Sequence, residues 1–398
     1  MLSRRAFLKS SALLSLAPAV PGCLARTARA AKPERDGRVL VVIQLDGGND
    51  GVNTVVPFKD DGYAKHRKLL RLPADRLLKV SAQVGLHPAL GAFGKLLEAG
   101  QLAVVQGVGY PNPSRSHFRS MAVWHTARFS PEEHKGPGWL GLALDDAPPL
   151  AGGAPASVLS GTSAPPTALR GRRCLSSTLA HLDDLTLHGE VEPKRALAAA
   201  GGEDLRAFVR RSMLDAYTTA DRLKEAAAVK DSAPYPGTAL AERLRLIARL
   251  LKAGFGTRVY YAVQRTYDTH SVQLPEHARL LGELGGAVRA FLDDLKAAGL
   301  AERVAVLAFS EFGRRVAENG SAGTDHGTAG PVFLAGPGVR PGLVGATPSL
   351  LDLEDGDLKV GFDFRRVYAS VLEDWLGLPS RPALGGAFER LPVFRGPG

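Results

Sequence analysis

Of the ten histidines and forty acidic residues in this 398-residue chain, only a few fall where a strand would hand over to a loop, and those few can do chemistry. Asp46 follows the apolar run Arg38 to Leu45, Asp268-Thr269-His270 follows Val259 to Gln264, and Glu311 follows Val304 to Ser310. Asp325-His326 stands just ahead of Pro331 to Ala335. Carboxylates gathered into one crevice repel each other and resist desolvation unless a positive charge sits among them. A divalent cation held by Asp46, Asp268, His270, Glu311, Asp325 and His326 answers that need, and mixed oxygen and nitrogen ligation suits zinc, manganese or magnesium better than copper or a thiolate cluster. The structural alternative is that these acids cap helices and turns.

A second group lies in Asn112-Pro113-Ser114-Arg115-Ser116-His117-Phe118, between a strand and the helix that starts near Ser116. A hydroxyl at a helix N-terminus sits in positive potential beside free N–H groups. Ser116 is therefore the first candidate nucleophile and Ser114 the second, with Arg115 to offset charge on an anionic substrate; an ordinary N-cap serine is the competing role. His117 and His125 are open to work as base, ligand or packing. His66, His134, His181, His188 and His277 are assigned to solvated faces, and His87 in Leu86-His87-Pro88 to the start of a helix.

These residues need a scaffold that brings distant loops together. The runs Arg38 to Leu45, Leu102 to Tyr110, Val259 to Gln264, Val304 to Ser310 and Pro331 to Ala335 are continuously apolar, as strands covered on both faces are. Helical periodicity separates them, most clearly from about Pro275 to Ala298, where Leu280, Leu281, Leu284, Val288, Phe291, Leu292 and Leu295 share a face and Gly299 marks the stop. Further helices fit Pro88 to Ala99, Ser116 to Ala127, Glu203 to Ala228, Leu240 to Ala253 and Phe364 to Leu376. The expected fold is α/β with a mainly parallel sheet between helices, and ligands bind beyond the carboxyl ends of such strands. Residues 31–398 read as one domain, with an irregular Gly-, Pro- and Ala-rich insertion near residues 131–175 that has room for short strands. The glycine-rich turn Asp46 to Gly51 lacks the G-x-G-x-x-G order of a dinucleotide site and places a carboxylate where a pyrophosphate would lie.

Residues 1–30 read as a label for export. Arg4-Arg5 with Phe7-Leu8-Lys9, a short apolar stretch and Ala28-Arg29-Ala30 form a twin-arginine signal peptide with a small-x-small cleavage site. The expected partner is the Tat translocase, and the expected destination is periplasmic or extracellular. Membrane anchoring enters only if Cys23 is lipidated. The leader holds five basic and no acidic residues, so the formal charge drops from +10 to +5 without it, and basic residues form no stripe. No nucleic-acid partner is expected. Cys174 alone would remain after cleavage, which excludes an internal disulfide.

Taken together, SRRAFLK, VVIQLDGGNDGVNTVVPF, LHPAL, PNPSRSHF, YDTHS, SEFGRRVAENGSAGTDHG and DFRRVYASVLEDWLG resemble the bacterial domain-of-unknown-function 1501 family, grouped with the alkaline phosphatase and sulfatase superfamily. The resemblance spans nearly the whole chain and is weakest between about residues 131 and 255. It implies an alkaline-phosphatase-like fold with a metal-dependent hydrolytic centre at the strand ends. By position it makes Asp46 the first acidic ligand, Asp268 and His270 an acid–histidine pair, His326 the late histidine, and Ser116 or Ser114 the nucleophile. Glu311 stands where the superfamily has an Asp-His-Gly block, with Phe312 in place of the histidine, and Thr328 replaces the second histidine of TDHGHG. Those departures imply a centre reduced to one metal or none, and the sulfatase signature is lacking. The expected function is an exported metal-dependent hydrolase acting on a small-molecule or glycan phosphate or sulfate ester. The rival is an inactive envelope protein that binds an anionic glycan or protein partner through the same crevice.

Overall fold

The computed structural model describes residues 37–148, 157–160, 164–179 and 221–396. The expected leader, His181, His188 and most of the expected helix from Glu203 lie outside the described residues. The centre is a nine-stranded sheet. Its strands are β1 (Val39–Leu45), β2 (Leu102–Gly109), β3 (Ser157–Ser160), β4 (Leu175–Thr178), β5 (Val259–Gln264), β6 (Val304–Ser310), β7 (Gly330–Ala335), β8 (Gly342–Val344) and β9 (Phe362–Asp363). They lie in the order β8-β2-β7-β6-β1-β5-β3-β4, with β9 beside β2. Only β7 runs against its neighbours β2 and β6; the remaining pairings are parallel.

The apolar runs became central strands because each has two faces to bury. In β1, Val39, Val41, Ile43 and Leu45 enter one core, while Leu40 and Val42 enter the other. Helices α1 (Gly91–Glu98), α4 (Ala239–Lys252) and α5 (Gln273–Ala297) cover the first face. On the second lie α2 (His117–Thr126), α3 (Trp139–Asp145) and α6 (Phe364–Ser370). All seven apolar positions expected along α5 are buried, and Gly299 follows in the left-handed region at φ +69°, as a helix stop requires. Burying one such side chain contributes about 2 kcal/mol, so this helix is held by packing more than by propensity.

Two expectations change. The stretch near residues 131–175 holds the short strand β3, as expected, and β4 begins at its end; the helix α3 was not expected. Its glycine content serves close packing as well as turning: a Cβ on Gly141 would stand 2.1 Å from the carbonyl oxygen of Arg170. His277, assigned to a solvated face, is buried. It occupies the same helical face as Leu280, Leu281 and Leu284, so its neighbours are core and not water. Among the described residues no helix is long and apolar enough to cross a membrane.

Candidate metal centre

The loops that leave β1, β5 and β6 meet at the carboxyl ends of those adjacent strands. Asp46 N–H donates to Gln264 O at 2.8 Å, and Tyr267 N–H returns to Asp46 O at 3.1 Å, so the first two loops are laced together. Gly47 sits at φ +121°, and a Cβ there would lie 2.5 Å from the Asp268 nitrogen. Only glycine allows this approach. Arg314, fully buried, ties the loops from within: it donates to Gly47 O, to Gly48 O and Thr324 O at 2.7 Å each, and to Tyr267 O at 3.1 Å. Its remaining bond, 2.6 Å to Asp268 Oδ1, fixes the carboxylate at the centre of the site.

Three imidazoles surround Asp268. His326 Nε2 lies 3.1 Å and His270 Nε2 3.0 Å from Oδ1, while His117 Nε2 lies 3.5 Å from Oδ2. His270 and His326 also approach each other, Nε2 to Nε2, at 3.0 Å. The opposite nitrogens decide what these atoms are. His117 Nδ1 is 2.8 Å from Glu311 Oε1, His326 Nδ1 is 2.7 Å from the backbone oxygen of Arg115, and His270 Nδ1 is 3.3 Å from Asp325 Oδ1. A backbone carbonyl or a carboxylate only accepts, so each Nδ1 carries a hydrogen; each Nε2 faces an acceptor as well, so it either carries a second hydrogen or presents a lone pair. Without that second hydrogen, three lone pairs point at one carboxylate.

That arrangement is repulsive unless a proton or a cation lies between the groups. His117 Nε2 is buried and makes no hydrogen bond. Its contact with Asp268 is within reach of charge attraction but is not a hydrogen bond, so a shared proton does not account for it. The donor atoms of His117, Asp268 and His326 lie within 4.8 Å of one another, a spread that a cation with ligand bonds of about 2 Å would draw in by small side-chain rotations. Oxygen or carbonyl support behind each imidazole is the usual outer arrangement of a metal centre. The residues present fit a divalent cation held by His117, Asp268 and His326, with His270 alongside.

Charge is tuned to match. Burial pushes the Asp268 carboxyl up, but the bonds from Arg314 and His326 outweigh it and hold the group at about 2. The hydrogen bond to Glu311 raises His117 above the ordinary histidine range against the effect of burial. Burial, then the nearby charge of Glu311, raises Asp46.

The other expected residues take different places. Glu311 is buried behind His117, where Oε1 also accepts from Gly47 N–H at 2.9 Å and Oε2 from Ser310 Oγ at 3.0 Å. Asp325 stands behind His270 and accepts from Asn319 Nδ2 at 3.2 Å. Asp46 faces Gln44, whose Nε2 donates to Oδ1 at 3.0 Å, and is not one of the converging atoms. Gln44 in turn accepts from Tyr261 OH at 2.6 Å and meets His125 Nε2 at 3.0 Å, so His125 belongs to a buried prop under Asp46. Ser116 is the exposed N-cap of α2 and makes no side-chain cap bond. The Ser114 hydroxyl accepts from Ser116 N–H at 3.2 Å. Arg115 pairs with the buried Asp357 at 2.5 Å. His87 begins a helical turn as expected, its Nδ1 accepting from Ala89 N–H at 3.0 Å.

Several functional residues carried no distinguishing mark in the sequence. Arg314 looks like one of two adjacent arginines in SEFGRR. Asp50 and Arg67 form a fully buried ion pair at 2.6 Å, and Gln273 Nε2 donates to Asp50 at 2.5 Å. His277 joins this group through Asn49 Oδ1 at 3.0 Å. That network fixes the second half of the Asp46 to Thr54 loop. The periodicity of α5, extended back to its first turns, would have placed His277 on the buried face; nothing local marked Arg67.

The fold and site together define an α/β protein with an imidazole and carboxylate cluster where parallel strands end. The chain belongs to the family described as "Protein of unknown function (DUF1501)", whose model matches residues 37–383. No curated protein matches it. Among solved structures it is similar to the lipoteichoic acid synthase LtaP from Listeria monocytogenes, with 10% identity, 85% of this chain and 80% of that chain covered and a TM-score of 0.36. It is similar to the PsFucS1 sulfatase from Pseudoalteromonas sp., with 12% identity, 85% and 69% covered and a TM-score of 0.34. The phosphonate monoester hydrolase of Agrobacterium radiobacter gives 10% identity, 88% and 78% covered and a TM-score of 0.35. This overlap is too loose to carry any residue across.

Proposed function

We propose that this protein is an exported hydrolase of phosphate or sulfate esters that works with a single divalent cation. The observation that carries the reading is the convergence of three imidazole Nε2 atoms on Asp268, each imidazole backed by an acceptor on its far nitrogen. A bound divalent cation would polarise an ester oxygen and neutralise its charge. The chain's own groups supply the rest. Asp268, kept ionised by Arg314, and the imidazoles would hold the reacting group at the N-terminus of α2, where the first amides of a helix lack intrahelical partners. Ser116, uncommitted as a cap, is the hydroxyl free to attack, whereas Ser114 is engaged. Asp46, raised by burial and by Glu311, is suited to hold a proton beside the centre.

One cation rather than two is favoured by Phe312. Its ring centroid lies 5.0 Å from that of His117 and 4.8 Å from that of His326, so an apolar wall occupies the place where the family resemblance implied a further nitrogen ligand. Thr328 spends its hydroxyl on Leu358 O at 2.6 Å. The same two departures favour the second reading, an envelope protein that binds an anion at this cation without turnover.

Elemental analysis of protein purified from its own envelope fraction tests the first reading. About one divalent cation per chain, with turnover of aryl phosphate or sulfate esters that a chelator abolishes, is the expected result. A folded preparation free of bound cation sinks it, and bound cation without turnover on either ester class moves the balance to the binding protein. Export by the twin-arginine route is checked separately: replacing Arg4 and Arg5 by lysine should leave the chain in the cytoplasm.

A further inference from the structure

We propose that Asp357, outside the cluster itself, is a positioning residue that decides which nitrogen of His326 carries the hydrogen, and so whether a lone pair faces Asp268. The inference rests on the cation reading above but is tested apart from it. Asp357 lies on a small hairpin in which Leu353–Glu354 pairs with Asp357–Leu358. Its carboxylate is buried, which is costly for a charge unless the burial is matched by strong partners. Two arginines supply the opposite charge, and only Oδ2 is hydrogen-bonded; Oδ1 makes no hydrogen bond among the described residues. Arg115 donates to Oδ2 from Nη2 at 2.5 Å and from Nε at 3.2 Å, and Arg315 Nε approaches Oδ1 to 3.9 Å.

Both arginines belong to segments that flank His326. The backbone oxygen of Arg115 accepts from His326 Nδ1 at 2.7 Å, and the backbone N–H of Arg315 donates to Asp325 O at 3.0 Å. Arg314 and His326 are paired as an antiparallel bridge. Asp357 thus pulls the Pro111 to Ser116 loop and the segment after β6 against the same histidine. The Arg115 side chain is 44% exposed, so water would solvate it well enough without Asp357. The ion pair matters because of where it places the Arg115 carbonyl.

That carbonyl sets the tautomer. With it in place the shorter contact, 2.7 Å to the carbonyl against 3.1 Å to Asp268 Oδ1, keeps the hydrogen on Nδ1 and leaves the Nε2 lone pair to any cation beside Asp268. Released from Asp357, the loop carries the carbonyl away, and the imidazole is free to place its hydrogen on Nε2. An N–H would then point at the spot where a cation needs a lone pair.

The test uses the whole protein labelled with nitrogen-15 histidine, stripped of metal by chelator and held at a pH where imidazoles are neutral. Long-range proton–nitrogen correlation should show His326 as the Nδ1–H tautomer in the wild type. Asp357→Asn and Arg115→Ala should both move it toward Nε2–H. In parallel, titration with zinc and with manganese should weaken by about tenfold in each variant, the low end of what removing support from a ligating histidine costs. The double variant should bind no more weakly than either single one, because the two residues act as one clamp. An unchanged tautomer with unchanged zinc and manganese affinity in Arg115→Ala overturns the inference, and that variant also serves should Asp357→Asn fail to fold. If the wild type takes up neither metal while the tautomer still shifts, the cation reading falls and the positioning role of Asp357 stands.

Discussion

At the scale of single residues, the centre is built from pairs in which one group points inward and another holds it from behind. Asp268 is the inward carboxylate, fixed by Arg314, and Glu311 is the support behind His117. The two positions should therefore fail differently. Asp268→Asn should abolish stoichiometric cation binding, whereas Glu311→Gln, which keeps an acceptor for His117 but loses its charge, should weaken affinity by about 10- to 100-fold without abolishing it. Isothermal titration with zinc distinguishes these outcomes, and equal losses in both variants would mean that Glu311 ligates directly. Ser116→Ala should remove any covalent turnover while leaving affinity for zinc unchanged, as rapid-quench kinetics would show. Position along the chain was enough to single out Asp268, His270 and His326, because each sits just past a strand end or before one. It did not separate inward groups from supporting ones. Whether Glu311 ligates or props depends on which nitrogen of His117 it meets, and no spacing in the sequence encodes that. Arg314 stayed hidden for a related reason: an arginine is read as surface unless the loops that wrap it are known.

At the scale of elements, the loops after β1 and β5 are in contact through backbone atoms, and Gly47 is where that contact is tightest. Gly47→Ala adds a Cβ 2.5 Å from the Asp268 nitrogen at a φ of +121° that side chains avoid. Strain and overlap together should cost about 2–4 kcal/mol. The midpoint of urea unfolding should drop accordingly, and zinc affinity should fall with it, since the displaced atom is the backbone of the central ligand. Full affinity in a destabilised Gly47→Ala would show that the two loops move independently. The strands were legible because their apolar runs have no polar face, a pattern that only a strand covered on both sides tolerates. Their direction was not. The run Pro331 to Ala335 reads the same whether it goes up or down the sheet, and β7 goes down. Near residues 131–175 the helix α3 was missed because glycine marks loops and close helix contacts alike, and Gly141 is the second kind.

At the scale of the whole molecule, three histidines buried far from one another in sequence should set the acid limit of the fold. Burial lowers His87, His125 and His277 each to about 4 from an ordinary value near 6.5. In the unfolded chain all three take up protons below 6.5, while in the folded protein they resist until about 4. Unfolding therefore binds protons within that window, so stability falls as pH drops from 6.5 to 4 and the loss is complete below 4. Each group contributes on the order of 3 kcal/mol, and three of them rival the 5–15 kcal/mol that holds a typical domain folded. Asp50 and Asp268 are lowered carboxylates whose stabilising contribution is lost only below 3.8, outside this range. His117 and Asp46 are raised and act in the opposite sense, His117 above 6.5 and Asp46 above 3.8, so Asp46 offsets part of the histidine effect and three protons are an upper bound. Urea unfolding in chelator, so that cation loss does not contribute, should give a free energy that changes by up to about 4 kcal/mol per pH unit near pH 5, the slope of three protons. His277→Gln keeps a donor for Asn49 and removes one titrating group, so its slope should be shallower by a third. A wild-type slope near zero between pH 6.5 and 4 would mean that these imidazoles open to water before the fold does, and that the polar network under the first loop is not part of what holds the sheet together.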